Sequence, residues 1–232
     1  MELAPGLSTF SVLLIGFVLG LRHATEADHL AAVSTIVSEK KSLFTASIVG
    51  GLWGVGHTIS LFAVGLLVVF LKLQISTAVE TKLEAGVGLM LVILGANALR
   101  KLATSEKIHA HTHEHDGHAH THIHTHKDES AERSHHRFSP RSVIVGMVHG
   151  LAGSAALMLL VVPTIQSTPV ALLYILIFGV GSIGGMMVMS LLIGLPFHFT
   201  ANRFDVLNKG IRLCAGVFSL LLGGSIIYEK LL

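Results

Sequence analysis

Six apolar stretches, separated by short polar breaks and one long polar insert, dominate the pattern of hydrophobic and polar positions along the chain. Several of them exceed the roughly 18 consecutive apolar residues that indicate a helix crossing a membrane. The pattern therefore predicts an all-α membrane protein with six transmembrane helices. The predicted spans are residues 8–37, 43–71, 80–102, 141–162, 168–196 and 206–228.

The first two spans are longer than a bilayer requires. A straight helix of about 29 residues covers roughly 43 Å, whereas the hydrocarbon core is near 30 Å thick. Each of these spans therefore either tilts and protrudes or is interrupted. The glycine cluster at residues 50–56 permits an interruption in the second span, although glycines in membrane helices more often allow close helix packing.

An internal repeat relates the two ends of the chain. The pattern at residues 20–23 recurs at 146–149, and the pattern at 54–57 recurs at 179–182, with offsets of 126 and 125. Because each unit would hold three helices, the second copy would be inverted in the membrane, as in many transporters whose substrate site lies where the halves meet. The predicted domains are a first three-helix repeat, a polar insert and a second three-helix repeat, at residues 1–102, 103–140 and 141–232.

Composition and charge agree with a membrane protein. The chain is 51% hydrophobic and 13% charged, about half the charge of a soluble domain. Of its 16 lysines and arginines, 12 fall on the loops of one predicted side and three on the other. Because basic residues favour the cytoplasmic side, we predict that both termini lie outside the cytoplasmic membrane and that the insert is cytoplasmic. The first basic residue is Arg22, so no cleaved signal peptide is expected.

Four groups that can bind a metal ion or a proton fall within seven residues of the first span: His23, Glu26, Asp28 and His29. An ionisable side chain inside a membrane segment is costly, and it usually faces a pore, a partner or a bound ion. A polar patch built on an Arg22–Glu26 salt bridge is the alternative, but it leaves the histidines and the aspartate unexplained. We therefore predict that the group binds a metal ion on a transport path.

On one continuous helix these four groups do not converge. His23, Glu26 and His29 share one flank, at spacings of i, i+3 and i+6. Asp28 points about 140° away from His23, and the two histidines are about 9 Å apart along the axis. Three arrangements are open: the helix unwinds locally, two ions bind in succession, or Asp28 holds another group such as His57.

Two further histidines lie in other apolar spans. A lone histidine such as His57 is often a hydrogen-bonded packing residue, but its place in the repeated pattern favours a role in the site. His149 is the repeat equivalent of His23, although its half of the chain offers Ser154 at the position of Asp28. The predicted metal ligands are His23, Glu26, Asp28, His29, His57 and His149.

The polar insert is rich in one potential ligand. Residues 109–136 contain 11 histidines in 28 positions, many alternating as His-x-His. Such a segment cannot bury a core and is predicted to be disordered. A merely hydrophilic linker would not explain the bias, so we expect a metal buffer, sensor or hand-off surface, with a cytosolic metal chaperone as a candidate partner. Imidazole and carboxylate ligands without cysteine fit Ni(II), Co(II) or Zn(II).

Two motifs carry a resemblance to a known family. Residues 22–29, Arg-His-Ala-Thr-Glu-Ala-Asp-His, resemble the His-x4-Asp-His signature of the nickel/cobalt transporters (NiCoT), and residues 55–58, Val-Gly-His-Thr, are similar to their second motif. The resemblance implies high-affinity uptake of Ni2+, sometimes Co2+, and makes His23, Asp28, His29 and His57 the transport-site candidates. Six spans, and a second half without the Asp-Thr motifs of larger members, resemble the shorter branch of urease-accessory-type nickel permeases.

We therefore predict a permease in which a dehydrated metal ion binds near mid-membrane while the two halves rock around it. No cofactor, catalytic residue or nucleic-acid partner is expected, and the chain lacks the Gly-x4-Gly-Lys-Ser/Thr motif of ATP hydrolysis. An exporter that gathers metal on the insert is the first alternative, since the insert is also similar to that of nickel/cobalt efflux proteins. An intramembrane metalloenzyme is the second alternative, but the sequence lacks the His-Glu-x-x-His motif of metalloproteases. A membrane metal sensor is the third alternative, but the sequence shows no evident output domain.

Overall fold

Seven helices and two short strands make up the part of the chain that the computed structural model describes, which is residues 8–38, 40, 42–71, 76–104, 109–115, 118–124, 140–152, 165, 167–201 and 203–231. The helices are α1 (Thr9–His23), α2 (Ala27–Val37), α3 (Leu43–Leu71), α4 (Thr77–Thr104), α5 (Pro140–Ala152), α6 (Thr168–Thr200) and α7 (Asp205–Leu231). The strands are β1 (His109–His115) and β2 (His118–His124).

The first predicted span is broken into α1 and α2, which are bent by 54° relative to each other. The Thr25 hydroxyl donates to the Arg22 carbonyl at 2.6 Å, and the Thr25 backbone N–H donates to the same oxygen at 2.8 Å. Glu26 then takes an extended conformation, with φ −65° and ψ 149°, as the residue that precedes α2. Because these local bonds replace the regular helical pattern, the chain changes direction here. Of the two predicted alternatives for this span, the structure takes the interruption.

The second predicted span, by contrast, is continuous. Helix α3 runs through the glycine cluster at residues 50–56 without a break. The glycines instead allow close approach between helices: a Cβ on Gly56 would collide with the Val143 carbonyl oxygen of α5, and one on Gly54 would lie 2.9 Å from Cα of Ile183 in α6. Close packing, rather than interruption, is therefore the role of this cluster.

Four of the described helices, α3, α4, α6 and α7, are long and apolar enough to cross a membrane, and the bent α1–α2 pair would make a fifth span. The predicted span 141–162 appears only as the 13-residue helix α5, because residues 153–164 lie outside the described residues. The all-helical membrane architecture thus agrees with the prediction, while the described residues do not establish the count of six.

Four helix pairings organise the described core. Helix α6 packs against both α1 and α3, and α3 also packs against α5. Helix α4 packs along α7, where a Cβ on Gly88 would lie 2.8 Å from the Gly223 carbonyl oxygen and a Cβ on Gly223 would lie 2.5 Å from that of Gly88. Large apolar side chains cover the outside of the described helices, as a lipid-facing surface requires. They include Phe10, Phe44, Phe70, Leu89, Ile93 and Leu221.

Two segments of the polar insert form an antiparallel hairpin, while the disorder predicted for the insert as a whole stays a prediction. Strands β1 and β2 pair so that His109 is opposite His124 and His115 is opposite His118. The physical reason is the alternation of histidine with another residue, because a period of two suits a strand. The remainder of the insert, residues 105–108, 116–117 and 125–139, lies outside the described residues.

Candidate metal centre

Four histidines from four helices meet inside the molecule. His23 is the last residue of α1, His29 lies in the first turn of α2, His57 is in the middle of α3, and His149 is in α5. Each of these residues has a relative exposure of 0%. The break between α1 and α2 brings the rings of His23 and His29 to a centroid separation of 4.3 Å. The turn therefore removes the axial distance that a continuous helix would impose.

Three of the imidazoles form a first group of metal ligands. The Nε2 atoms of His23 and His57 are 3.2 Å apart. One ring nitrogen from each of His23, His29 and His57 lies within 4.8 Å of the others. Small inward movements would place all three at the roughly 2.1 Å bond length of a nitrogen ligand. Three imidazoles whose ring nitrogens lie this close together form a site suited to a divalent transition metal.

Two carboxylates lie behind these imidazoles. Asp28 Oδ1 accepts from the backbone N–H of His29 and from His29 Nδ1, both at 2.8 Å. Glu26 Oε1 lies 3.0 Å from His23 Nδ1, at ion-pair distance but without hydrogen-bond geometry. An ionised carboxylate has only acceptor atoms, so the Nδ1 nitrogen of His29 carries the hydrogen. A carboxylate behind an imidazole fixes its tautomer and raises its basicity as a metal ligand.

Asp28 also connects to the second half of the chain. Its Oδ2 atom lies 3.0 Å from His149 Nε2. Asp28, His29 and His149 make a second group whose ligand atoms all lie within 4.8 Å of one another. The rings of His29 and His149 have centroids 4.1 Å apart. The two groups of ligands thus share His29.

Residues 9–217 of the chain match the family model NicO, described as high-affinity nickel-transport protein. The chain belongs to the NicO family. The urease accessory protein UreH of Bacillus sp. (strain TB-90) is 38% identical over an alignment of 230 residues, which covers 94% of this chain and 91% of UreH. The chloroplast protein FOR GROWTH AND FERTILITY 2 of Arabidopsis thaliana is 24% identical and covers 93% of this chain but 55% of its own length. No solved structure matches the chain.

Membership of the NicO family confirms the resemblance drawn from residues 22–29 and 55–58. The chain is a nickel permease and not an enzyme, and nickel is its transported substrate. Together with its apolar helices, the family match also makes it a multi-pass membrane protein.

The structure gathers all six predicted site residues of this NicO protein around the two ligand groups. Glu26 lies at the rim, with 38% of its side chain exposed, and Asp28 is less accessible at 19%. Asp28 contacts His29 and His149. Glu26 lies against His23 rather than forming the salt bridge with Arg22 that was the alternative interpretation. Metal binding at these residues remains a prediction.

Two aromatic residues of the site were not predicted from the sequence. The Trp53 ring lies 5.3 Å, between centroids, from both His29 and His149, and the Phe178 ring lies 5.7 Å from His23. Both aromatic residues are buried and place apolar ring surface next to the imidazoles. The repeat offset of 125 that relates His57 to its equivalent also relates Trp53 to Phe178, so the repeat was the signal that could have identified them.

Proposed function

We propose that this NicO protein takes up Ni2+, with Co2+ as a second substrate, across the cytoplasmic membrane through the buried histidine cluster. The observation that carries the proposal is the convergence of His23, His29 and His57 from three helices, with two Nε2 atoms 3.2 Å apart. Burying this many imidazoles next to two carboxylates is costly unless they serve an ion. Binding to these ligands would compensate a transported cation for the hydration free energy that it loses on entering the site.

The ligand chemistry supports nickel and cobalt without separating them. Imidazole nitrogen suits both ions. The affinity of a given set of ligands for different divalent metal ions follows a fixed order, so the ligand type alone does not select between nickel and cobalt. Asp28 and Glu26 supply negative charge near the imidazoles, which partly offsets the charge of a dication. Selectivity would then depend on the geometry that the surrounding helices impose.

We also propose that the chain is an inverted repeat of two three-helix units. Equivalent contacts across the two halves support this. A Cβ on Gly20 would collide with the carbonyl oxygen of Phe178, and a Cβ on Gly146 would collide with that of Trp53. Gly146 follows Gly20 by 126 residues, and Phe178 follows Trp53 by 125. The α1–α6 and α5–α3 contacts are therefore repeat equivalents of each other.

A second pair of contacts follows the same rule. A Cβ on Gly56 would collide with the carbonyl oxygen of Val143, and a Cβ on Gly181 would collide with that of Phe17. Again the glycines differ by 125 positions and the carbonyl residues by 126. Two such pairs are a physical argument for six spans related by a pseudo-two-fold axis. Rocking of the two units about the histidine cluster is the proposed transport step.

The charge distribution supports an orientation in the plasma membrane with both termini outside and the insert cytoplasmic. In that orientation the histidines of β1 and β2 lie on the side that receives incoming nickel. We propose that they hold the metal for a cytosolic metal chaperone. A topology reporter inserted at position 120 is expected to be cytoplasmic, and an external signal would overturn the orientation.

The test of the proposed function is 63Ni flux in proteoliposomes containing the purified chain. His23→Ala should abolish uptake while the protein remains monodisperse. His198→Ala is the matched control, because His198 is an exposed histidine of α6 outside the cluster. Normal flux in His23→Ala would refute the site.

Efflux is the second candidate, favoured by the eight histidines that β1 and β2 place opposite one another on the proposed cytoplasmic side. Flux measured in both directions, with protein orientation determined by protease access to the insert, separates the two. Accumulation only when nickel is supplied on the side opposite the insert supports uptake.

A further inference from the structure

His29 belongs to both groups of metal ligands, and the two nitrogens of its ring have different surroundings. Its Nδ1 atom lies 2.8 Å from Asp28 Oδ1, on the side of the second group. Its Nε2 atom is buried and has no hydrogen-bond partner among the described residues. The two nitrogens of an imidazole lie on different edges of the ring, so an ion bound through Nε2 lies away from Asp28. The two groups are therefore two places, not one enlarged site.

We infer that nickel occupies two adjacent positions in turn, and that His29 is the ligand common to both. In the first position the ligands are His23, His29 and His57. In the second they are Asp28, His29 and His149. This inference rests on the proposed function, since it describes the path of the ion through the same cluster.

The hydrogen bonds decide which position nickel occupies at rest. Both oxygens of Asp28 already accept hydrogen bonds, from His29 and from His149. An ion entering the second position must replace both of these bonds. An ion entering the first position replaces only the bond between His23 Nε2 and His57 Nε2, and it meets a His29 Nε2 atom without a described partner. The three-imidazole position is therefore the resting one, and the position at Asp28 is the transient one.

Chain connectivity, rather than exposure, gives the second position its role. The three histidines of the first position are fully buried, while 19% of the Asp28 side chain is exposed. Glu26, which is 38% exposed, lies against His23 of the first position, so each position has one partly exposed carboxylate beside it. Movement from the first position to the second transfers the ion from ligands that precede the insert to His149, a ligand from beyond the insert. His29 provides a ligand at both positions, through Nε2 at the first and Nδ1 at the second, and the hydrogen on Nδ1 moves to Nε2 when the ion changes position.

The experiment compares His149→Gln with His57→Gln in a full-length chain whose 11 insert histidines are replaced by glutamine, so that only the cluster binds nickel. Glutamine keeps an N–H donor for Asp28 but is a poor nickel ligand. Equilibrium binding of Ni2+ and its X-ray absorption spectrum are measured on the purified protein, and 63Ni flux is measured in proteoliposomes. Monodispersity in detergent checks folding of each variant.

We expect His149→Gln to bind Ni2+ with unchanged affinity and with imidazole nitrogens but no carboxylate among its ligands, yet to lose at least about tenfold in flux. His57→Gln should lower the affinity by about tenfold or more. The parent protein at saturation should also show no carboxylate ligand. That measurement needs no further substitution and therefore does not depend on the folding of either variant.

Equal loss of affinity in both variants, or a carboxylate among the ligands of the parent protein, would show one composite site and overturn the inference. Normal flux in His149→Gln would show that no second position is needed. Normal flux in His57→Gln would instead refute the proposed function. The two failures are thus distinguishable.

Discussion

The Oδ2 atom of Asp28 lies 3.0 Å from the Nε2 atom of His149, although 121 residues separate them in the chain. This contact joins helix α2 to helix α5 across the long polar insert. Through His29, which also donates to Asp28, it connects the signature motif at residues 22–29 to the second half of the molecule. The site of this NicO protein is therefore built by both halves.

Replacing Asp28 with asparagine should lower nickel flux by at least about tenfold. The amide keeps the size of the carboxylate but replaces one of its two acceptor oxygens with an NH2 donor, so either His29 or His149 would face a donor instead of an acceptor. The measurement is 63Ni flux in proteoliposomes. Asp205→Asn is the control, because Asp205 is exposed and its ion pair with Lys209 contributes little. Equal flux in the two variants would contradict the assigned role of Asp28.

Nickel uptake should fall as the external medium is acidified, because protons compete with the metal for imidazole nitrogens. Uptake falls rather than rises at low pH because only a deprotonated imidazole nitrogen can bind the ion. Initial rates of 63Ni uptake at fixed free Ni2+ provide the measurement. The chain with its insert histidines replaced should show the same profile if the buried cluster is responsible. If uptake by that variant no longer depended on pH, the pH dependence would have to come from the insert histidines.

Gly56→Ala should destabilise the protein by about 1–3 kcal/mol, because the new methyl group collides with the Val143 carbonyl and forces α3 away from α5. Thermal unfolding in detergent, followed by the loss of helical circular dichroism, measures the effect. Gly86→Ala is the matched control, since a Cβ at Gly86 in α4 meets no atom within 4 Å. Alanine also favours a helix over glycine, so the control should be neutral or stabilising. A similar loss in both variants would rule out the close contact as the cause.

Trp53→Ala should cost about 3–5 kcal/mol of stability, because it leaves a cavity beside His29 and His149. Trp53→Phe should retain most of that stability, since Trp53 Nε1 has no hydrogen-bond partner among the described residues. We also expect Trp53→Ala to reduce nickel flux through entry of water next to the imidazoles. Thermal unfolding and 63Ni flux are measured together. Full stability of Trp53→Ala would mean that the ring does not seal the site.

Replacing the 11 histidines of residues 109–136 with glutamine should leave the transport rate largely unchanged and reduce the nickel retained by the protein. The reason is that β1 and β2 belong to the polar insert, whereas the proposed path lies in the buried cluster. Rates and retained 63Ni are measured on the same proteoliposomes. A folded variant that no longer transports would place the insert on the path itself.

The character of the protein could be inferred from the sequence alone, because the relevant physical signals are local. Long apolar runs indicate membrane helices whatever other segments they contact. The motif at residues 22–29 likewise contains several potential metal ligands within one short stretch of sequence. The same holds for the family, since residues 22–29 and 55–58 resembled nickel transporters before any contact was known. The repeat of 20–23 at 146–149 likewise indicated that His149 corresponds to His23.

Tertiary structure alone decided how those residues meet. An ideal helix separates His23 from His29, and only the bonds from Thr25 to the Arg22 carbonyl, with the extended Glu26, create the turn that closes the distance. The pairing of Asp28 with His149 depends on how α5 packs on α3. Periodicity describes one helix at a time, so it carries no information about which buried faces touch. Contacts between distant segments arise from packing, and that is where the two ligand groups and their shared His29 become visible.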